Sequence, residues 1–382
     1  MNSSIHMMNL WSCYLPTKIL FGVNSIGKLA EITESFNPKK ILLVTGKQSM
    51  KQSGVTKNIL DQLGNRSVVV YDNATHNPTV DDVEDGKIFL EKEEADLVIA
   101  LGGGSVIDFA KAIAILANNT VFLSNYLHCV AKIANKGIPV IAIPTTSGTG
   151  SEVTQYASIV DANLKKKLSL TSDFIRPEVA IIDPNLTLTM PKFVTATTGL
   201  DALSQCIESY WSKNRTPVSD LFAIEGVKLV FENLVGACNF PEDLTFRRNM
   251  ALASLFSGLA ISITKTTIVH AVSYPLTVFF DVPHGLACSF TLPSFIQFNS
   301  EVLEERMLRL AKMVGTDTID IFVQKVKQLI LDVALPTLLS EVGIKREDID
   351  LIINEGFRPD RAANNPREVT PDELRAILSR IL

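Results

Sequence analysis

The feature that most constrains this chain is a strand-like run, Leu97–Leu101, that ends in Gly102-Gly103-Gly104-Ser105 and passes directly into a helical pattern over Val106–Ala117. Glycines between a strand and a helix let the backbone approach a ligand closely. The helix start beyond them offers unpaired N–H groups and a positive dipole end to a phosphate. The competing reading is a tight turn without a ligand. Three more β-branched apolar runs precede or follow it: Ile41–Thr45, Val68–Tyr71 and Val140–Ile143. Between them lie the helix-compatible segments Gly54–Leu63 and Val80–Glu94. Uninterrupted apolar strands alternating with helices predict a parallel sheet buried on both faces, with ligands at the strands' C-terminal ends.

The rhythm changes near Pro191. Helical patterns over Phe193–Trp211, Ser219–Leu234, Phe246–Ser262, Glu301–Val314, Phe322–Val333 and Pro371–Leu382 follow, with a short one over Asp348–Glu355. The 382 residues exceed what one core usually serves. The sequence therefore predicts an α/β dinucleotide-binding domain with a parallel sheet over residues 1–187 and an all-helical metal and substrate domain over 188–382.

Composition excludes several classes. With 46% apolar and 20% charged residues the chain has ample core and no disorder signature. A net charge of −5 leaves no basic field for nucleic acid or an anionic membrane. The five cysteines are scattered without CxxC spacing, which argues against a disulfide framework and for a reducing cytoplasm. Met1–Leu10 lacks the charged-then-apolar pattern of a signal peptide, and the apolar stretch Val121–Cys129 is too short to span a bilayer.

A second loop strengthens the phosphate reading. Val140–Ile143 leads into Pro144-Thr145-Thr146-Ser147-Gly148-Thr149-Gly150-Ser151-Glu152, a dense run of hydroxyls and glycines. Two such loops on one sheet could hold a diphosphate between them. After the first strand, Gly46 stands where dinucleotide domains often carry an acid for the ribose 2′-hydroxyl, and Lys47, Ser49 and Lys51 follow; this leans toward NADP(H) over NAD(H). In the helical half, Asp201 and Gln205 share one helix face at i, i+4, and Asp201 sits among small apolar residues where a carboxylate needs a partner. His270, after a helical stretch, and His284, in a turn, could complete a site for iron or zinc.

These motifs, in this order, resemble the iron-containing (group III) alcohol dehydrogenases: Gly102-Gly103-Gly104-Ser105 with Asp108 and Lys111, the Pro144–Glu152 loop, Gly199-Leu200-Asp201-Ala202, His270-Ala271 and Pro283-His284-Gly285. The resemblance implies nicotinamide-dependent hydride transfer at a metal-polarised carbonyl in a cleft between two domains, usually in a homodimer. It places the divalent metal, iron rather than zinc, on Asp201, Gln205, His270 and His284. Gln205 stands where the family usually has histidine, and Tyr274 where another histidine is common. The expected cofactor positions are Gly46, Lys47, Ser49, Asn77, Gly103, Gly104, Ser105, Asp108, Thr145, Thr146, Thr149 and Lys167.

The departures are themselves similar to one subgroup, the phosphonoacetaldehyde reductases or 2-hydroxyethylphosphonate dehydrogenases. The similarity lies in Asp201–Gln205 leading to Ile207–Ser212, in Lys265-Thr266-Thr267, in His270–Thr277 and in Asn364-Asn365-Pro366-Arg367. It implies phosphonate metabolism, with Tyr274 and Lys265 acting on the substrate. Two other readings stay open: a short-chain alcohol or diol dehydrogenase of the same family, and a catalytically silent nucleotide-binding homologue.

Overall fold

The computed structural model describes residues 10–357 and 359–382; the reading of Met1–Leu10 lies, but for Leu10, outside them. Among the described residues eight strands are present: β1 (Lys18–Phe21), β2 (Ile41–Gly46), β3 (Val68–Ala74), β4 (Leu97–Gly102), β5 (Val140–Pro144), β6 (Tyr156–Asp161), β7 (Lys166–Thr171) and β8 (Val179–Ile182). Six form a parallel sheet in the order β1-β8-β5-β4-β2-β3. The uninterrupted apolar runs follow from its two covered faces. Leu42, Val44, Val98 and Ala100 pack with Phe109 and Ile113, while Leu43, Leu97, Ile99 and Leu101 pack with Leu29, Ile59 and Leu63. Strands buried on both sides show no alternation.

The helices that carry the argument are α1 (Val55–Leu63), α2 (Val80–Glu93) and α3 (Gly104–Leu116) on the sheet. The second half contributes α4 (Lys192–Trp211), α5 (Pro217–Asn239), α6 (Leu244–Thr264), α7 (Ile268–Phe280) and α8 (His284–Met313). Toward the C-terminus follow α9 (Ile319–Asp332), α10 (Ile349–Gly356), α11 (Pro359–Asn364) and α12 (Pro371–Arg380). Their shared core runs from Ala196 on α4 to Ile381.

Three expectations need correction. His270 follows α6 as expected but lies inside the next helix, α7, while His284 is the first residue of α8 rather than part of a turn. The helix read from Glu301 begins seventeen residues earlier, at His284, and is broken at Leu303, where φ is −128° and ψ 31°. The antiparallel hairpin of β6 and β7, and strands β1 and β8, stand in segments with no strand expectation. Both α7 and the first half of α8 are buried on almost every side and carry a proline, Pro275 and Pro293. A helix apolar all round lacks the one-sided stripe that betrays surface helices, and proline reads as a breaker. No single helix among the described residues is long and apolar enough to cross a membrane.

Candidate active site

The two glycine-rich loops end neighbouring strands, with Gly102 on β4 in register with Pro144 on β5. Thr145 N–H donates to the Gly102 carbonyl at 3.0 Å. A Cβ on Gly104 would come within 2.6 Å of the Thr149 side chain, and one on Gly103 within 3.3 Å of Thr146. At Gly104 the cradle closes only around glycine, whereas at Gly103 a side chain would need Thr146 to give by a few tenths of an ångström. Gly150, at φ +61°, backs onto Gly258 of α6, where an added Cβ would lie 2.4 Å from the Gly258 Cα. That contact couples the loop to the helical half.

Gly46, Asn77, Gly103, Gly104, Ser105, Asp108, Thr146, Thr149 and Lys167 all line one cavity of about 530 Å³. Asn77 tolerates φ +52°, accepts at Oδ1 from Lys167 Nζ at 3.0 Å, and donates its N–H to Ser105 Oγ at 3.3 Å. Three expected cofactor residues do not reach the lining: Thr145 is buried beneath it, and Lys47 and Ser49 are exposed beyond the end of β2. Asp108 lines the cavity, yet its carboxylate is committed inward. It accepts from Ser151 Oγ, from Ser158 N–H at 2.9 Å, and pairs with buried Lys111 at 3.4 Å. It braces the loop, and its charge does not favour a diphosphate.

The same cavity is lined by Asp201, Gln205, His270, Tyr274 and His284. Helix α4 carries Asp201, Gln205 and Glu208 at i, i+4 and i+7, on one face. Glu208 Oε2 bonds His270 Nδ1, while Oε1 accepts from Thr267 N–H at 2.9 Å, Thr267 Oγ1 at 2.6 Å and Val269 N–H at 3.1 Å. A carboxylate facing Nδ1 holds the ring proton there and turns the Nε2 lone pair inward. On α8, the His284 Nδ1 lies 3.3 Å from Ser273 Oγ. Both Nε2 atoms then point at Asp201 Oδ1, at 3.4 Å from His270 and 3.8 Å from His284.

Asp201 Oδ1 and His270 Nε2 are buried with no hydrogen-bond partner. Lone pairs facing each other in a dry interior ask for a cation. A carboxylate and two imidazoles, each imidazole oriented from its far nitrogen, match the donor set and supporting contacts of an iron or zinc site.

The two imidazoles differ in electrostatics. Burial, followed by the nearby Lys167 ammonium, pushes His284 down to about 3. For His270 burial pulls the same way, but Cys288, Glu208 and Asp201 outweigh it and raise the imidazole well above its ordinary value, so that without a cation Nε2 holds a proton toward Asp201, the proton a metal would displace. Burial likewise opposes ionisation of Asp201 and Glu208; the imidazoles overcome it and hold both carboxyls below their usual range. Gln205 reaches the lining, but its Oε1 accepts from Ser257 Oγ at 2.9 Å. The ring of Tyr274 stacks on that of His284, with centroids 6.0 Å apart and planes 19° from parallel.

Lys265 does not reach the cavity. It is exposed and caps α6 at φ +60°, a conformation rare for a side-chain-bearing residue. There the chain bends by 111° between α6 and α7. The bend presents the next two residues inward: Thr267 to Glu208, and Thr266 to the cavity. Thr266 Oγ1 accepts from Arg361 Nη1 at 2.5 Å, and Arg361 lines the cavity too. Asn364 staples α11 in place, donating to the carbonyls of Thr264 at 2.9 Å and Thr266 at 3.0 Å.

Glu208, Arg361 and Cys288 are among the residues to which the sequence assigned no role. The i+7 spacing from Asp201 marks Glu208, and the i+4 spacing from His284 marks Cys288. Nothing local marks Arg361, which a contact nearly a hundred residues distant brings in.

Comparison with known proteins agrees with this geometry. Residues 16–184 match the family model described as iron-containing alcohol dehydrogenase. Residues 195–382 match the C-terminal model of the Fe-containing alcohol dehydrogenase family. The sulfoacetaldehyde reductase of Bifidobacterium kashiwanohense, solved in complex with NAD+, is 34% identical, with a TM-score of 0.92 over 97% of this chain and 98% of that one. The alcohol dehydrogenase of Oenococcus oeni superposes with a TM-score of 0.93 at 30% identity, over 98% of this chain and 100% of that one. The 1,3-propanediol dehydrogenase of Citrobacter freundii is 32% identical over 375 residues, 95% of this chain and 96% of that protein. This chain belongs to the iron-containing alcohol dehydrogenase family.

Proposed function

We propose that this alcohol/aldehyde oxidoreductase reduces a small aldehyde bearing an anionic head group, phosphonoacetaldehyde to 2-hydroxyethylphosphonate, with NAD(P)H. The observation that carries the proposal is Arg361, seated on Thr266 in the cavity that also holds Asp201, His270 and His284. A guanidinium recognises a planar fork of anionic oxygens better than any other side chain. The similarity to a sulfoacetaldehyde reductase, whose named substrate also joins an aldehyde to an anionic group, supports the same reading.

When bound, iron supplies Lewis-acid polarisation of the carbonyl and the nicotinamide supplies the hydride. The chain's own part is positioning. Asp201, His270 and His284 hold the metal, with Glu208 and Ser273 fixing the two rings. Gly103, Gly104, Thr146 and Thr149 cradle the diphosphate, and Lys167, placed by Asn77, adds positive charge. Tyr274 presents its phenol one helical turn from His270, where the hydroxyl can donate to a substrate oxygen. Arg361, Thr266 and Tyr156 line the part of the cavity that takes the head group. Gly46 carries no carboxylate to repel a 2′-phosphate, so NADPH is used at least as well as NADH. We place the domain boundary between residues 187 and 188, and we take the working form to be a cytoplasmic homodimer.

The test is Arg361→Ala assayed on phosphonoacetaldehyde and on propanal. Loss confined to the charged aldehyde supports the proposal. Equal loss on both assigns Arg361 to the fold or the cofactor and favours the uncharged diol or alcohol reading.

A further inference from the structure

The metal cluster contains one donor more than the motifs account for. Cys288 lies one turn beyond His284 on α8, at i+4, so both side chains leave the helix on one face. It is fully buried. One ligand atom each from Asp201, His270, His284 and Cys288 lie within 4.8 Å of one another. Tetrahedral ligands at the bond lengths of a transition metal stand about 3.3–3.7 Å apart, so the four atoms need only a small inward adjustment. Gln205, the residue at the family's fourth ligand position, instead turns its amide oxygen to Ser257.

We infer that Cys288, rather than Gln205, is the fourth protein ligand of the metal. The inference rests on the metal reading given above. It follows from placement and from donor chemistry: a buried sulfur facing two imidazoles and a carboxylate is the softer and stronger donor, and a neutral amide oxygen the weaker one. On coordination the thiol proton leaves to solvent and the thiolate pair forms the bond to the metal, with no change of oxidation state. A thiolate also changes selectivity, raising zinc retention relative to the same site without sulfur.

Cobalt(II) substitution tests this without relying on turnover. The full chain is stripped, loaded with cobalt to stoichiometry, and read by absorption and by metal analysis. The expected result is a near-ultraviolet sulfur-to-cobalt charge-transfer band. It should be lost in Cys288→Ser and retained in Cys206→Ser, a buried cysteine outside the cluster, and in Gln205→Ala. Cobalt bound with visible d–d bands but no charge-transfer band overturns the thiolate and leaves the Asp201, His270 and His284 site standing. Failure to bind cobalt at all overturns both. A band that survives Cys288→Ser also overturns the inference. If Cys288→Ser fails to fold, Cys288→Ala decides the matter: loss of the charge-transfer band with cobalt still bound is expected, and survival of the band contradicts the assignment.

Discussion

Glu208→Gln isolates how the chain sets up its metal site. The carboxylate is fully buried, bonds His270 Nδ1 through Oε2 and gathers donors from Thr267 and Val269 on Oε1. Glutamine keeps the volume and one acceptor. With its oxygen left on the Thr267 and Val269 donors, its NH2 faces His270 Nδ1. That nitrogen must then accept, and the ring proton moves to Nε2, the atom aimed at Asp201. A protonated Nε2 cannot bind a metal. Loss of such an orienting contact typically costs ten- to a hundredfold in metal affinity, or about 1.4–2.8 kcal/mol. The alternative amide flip restores the tautomer but leaves two or three N–H and O–H donors facing an NH2, at about 1–3 kcal/mol for each buried group left unmade. Either way metal affinity, measured by chelator competition, falls at least tenfold. Far-ultraviolet circular dichroism at the assay temperature controls for folding. Unchanged affinity in a folded variant would refute the orienting role of Glu208.

Three further outcomes follow from the same geometry. Asp201→Ala removes the carboxylate that both imidazoles face, so metal content by elemental analysis should fall from stoichiometric to background and turnover with it, while the variant stays folded. Gly46→Asp is sterically open, since a Cβ meets its nearest neighbours at 3.8 Å and 3.9 Å; Coulomb repulsion of a 2′-phosphate should shift preference toward NADH by about 1–2 kcal/mol, read as the ratio of kcat/KM for the two cofactors. Glu152 is raised to about 7 chiefly by burial: the folded state keeps its proton between the ordinary carboxyl value and about 7 while the unfolded chain releases it, so this contribution to stability is present at low pH and lost as pH rises through about 7. Glu152→Gln should therefore be gained stability at pH 8 relative to the unmodified chain, by up to about 3 kcal/mol, and no difference in the denaturation midpoints across pH would contradict that.

The parts of the fold legible in the sequence are those whose burial pattern is simple. Strands β2, β4 and β5 are continuous buried runs because both faces of the sheet are covered, and the glycine loop after β4 announces itself because close packing of Gly104 against Thr149 excludes a side chain. Helices α7 and the first half of α8 are less visible, since burial on all sides erases periodicity and Pro275 and Pro293 read as stops. In the site, Asp201, His270 and His284 come together as the motifs imply. Lys265 illustrates the opposite case: the motif is informative, but the lysine's own part is to turn the backbone at positive φ so that Thr266 and Thr267 face inward. The guanidinium at the cavity comes from Arg361, and tertiary contacts of α11, among them the staple through Asn364 and the bonds from Ser212 and Lys213, put it there.

The most direct measurement is the ratio of kcat/KM for phosphonoacetaldehyde to that for propanal, taken on the iron-loaded, unmodified chain with NADPH and again after chelation. A buried charge-assisted contact is worth about 1.5–3 kcal/mol, so the charged aldehyde is expected to lead by about ten- to a hundredfold, with activity on both lost on chelation and restored by iron. A ratio of one or below, or turnover that survives complete removal of the metal, would contradict the account.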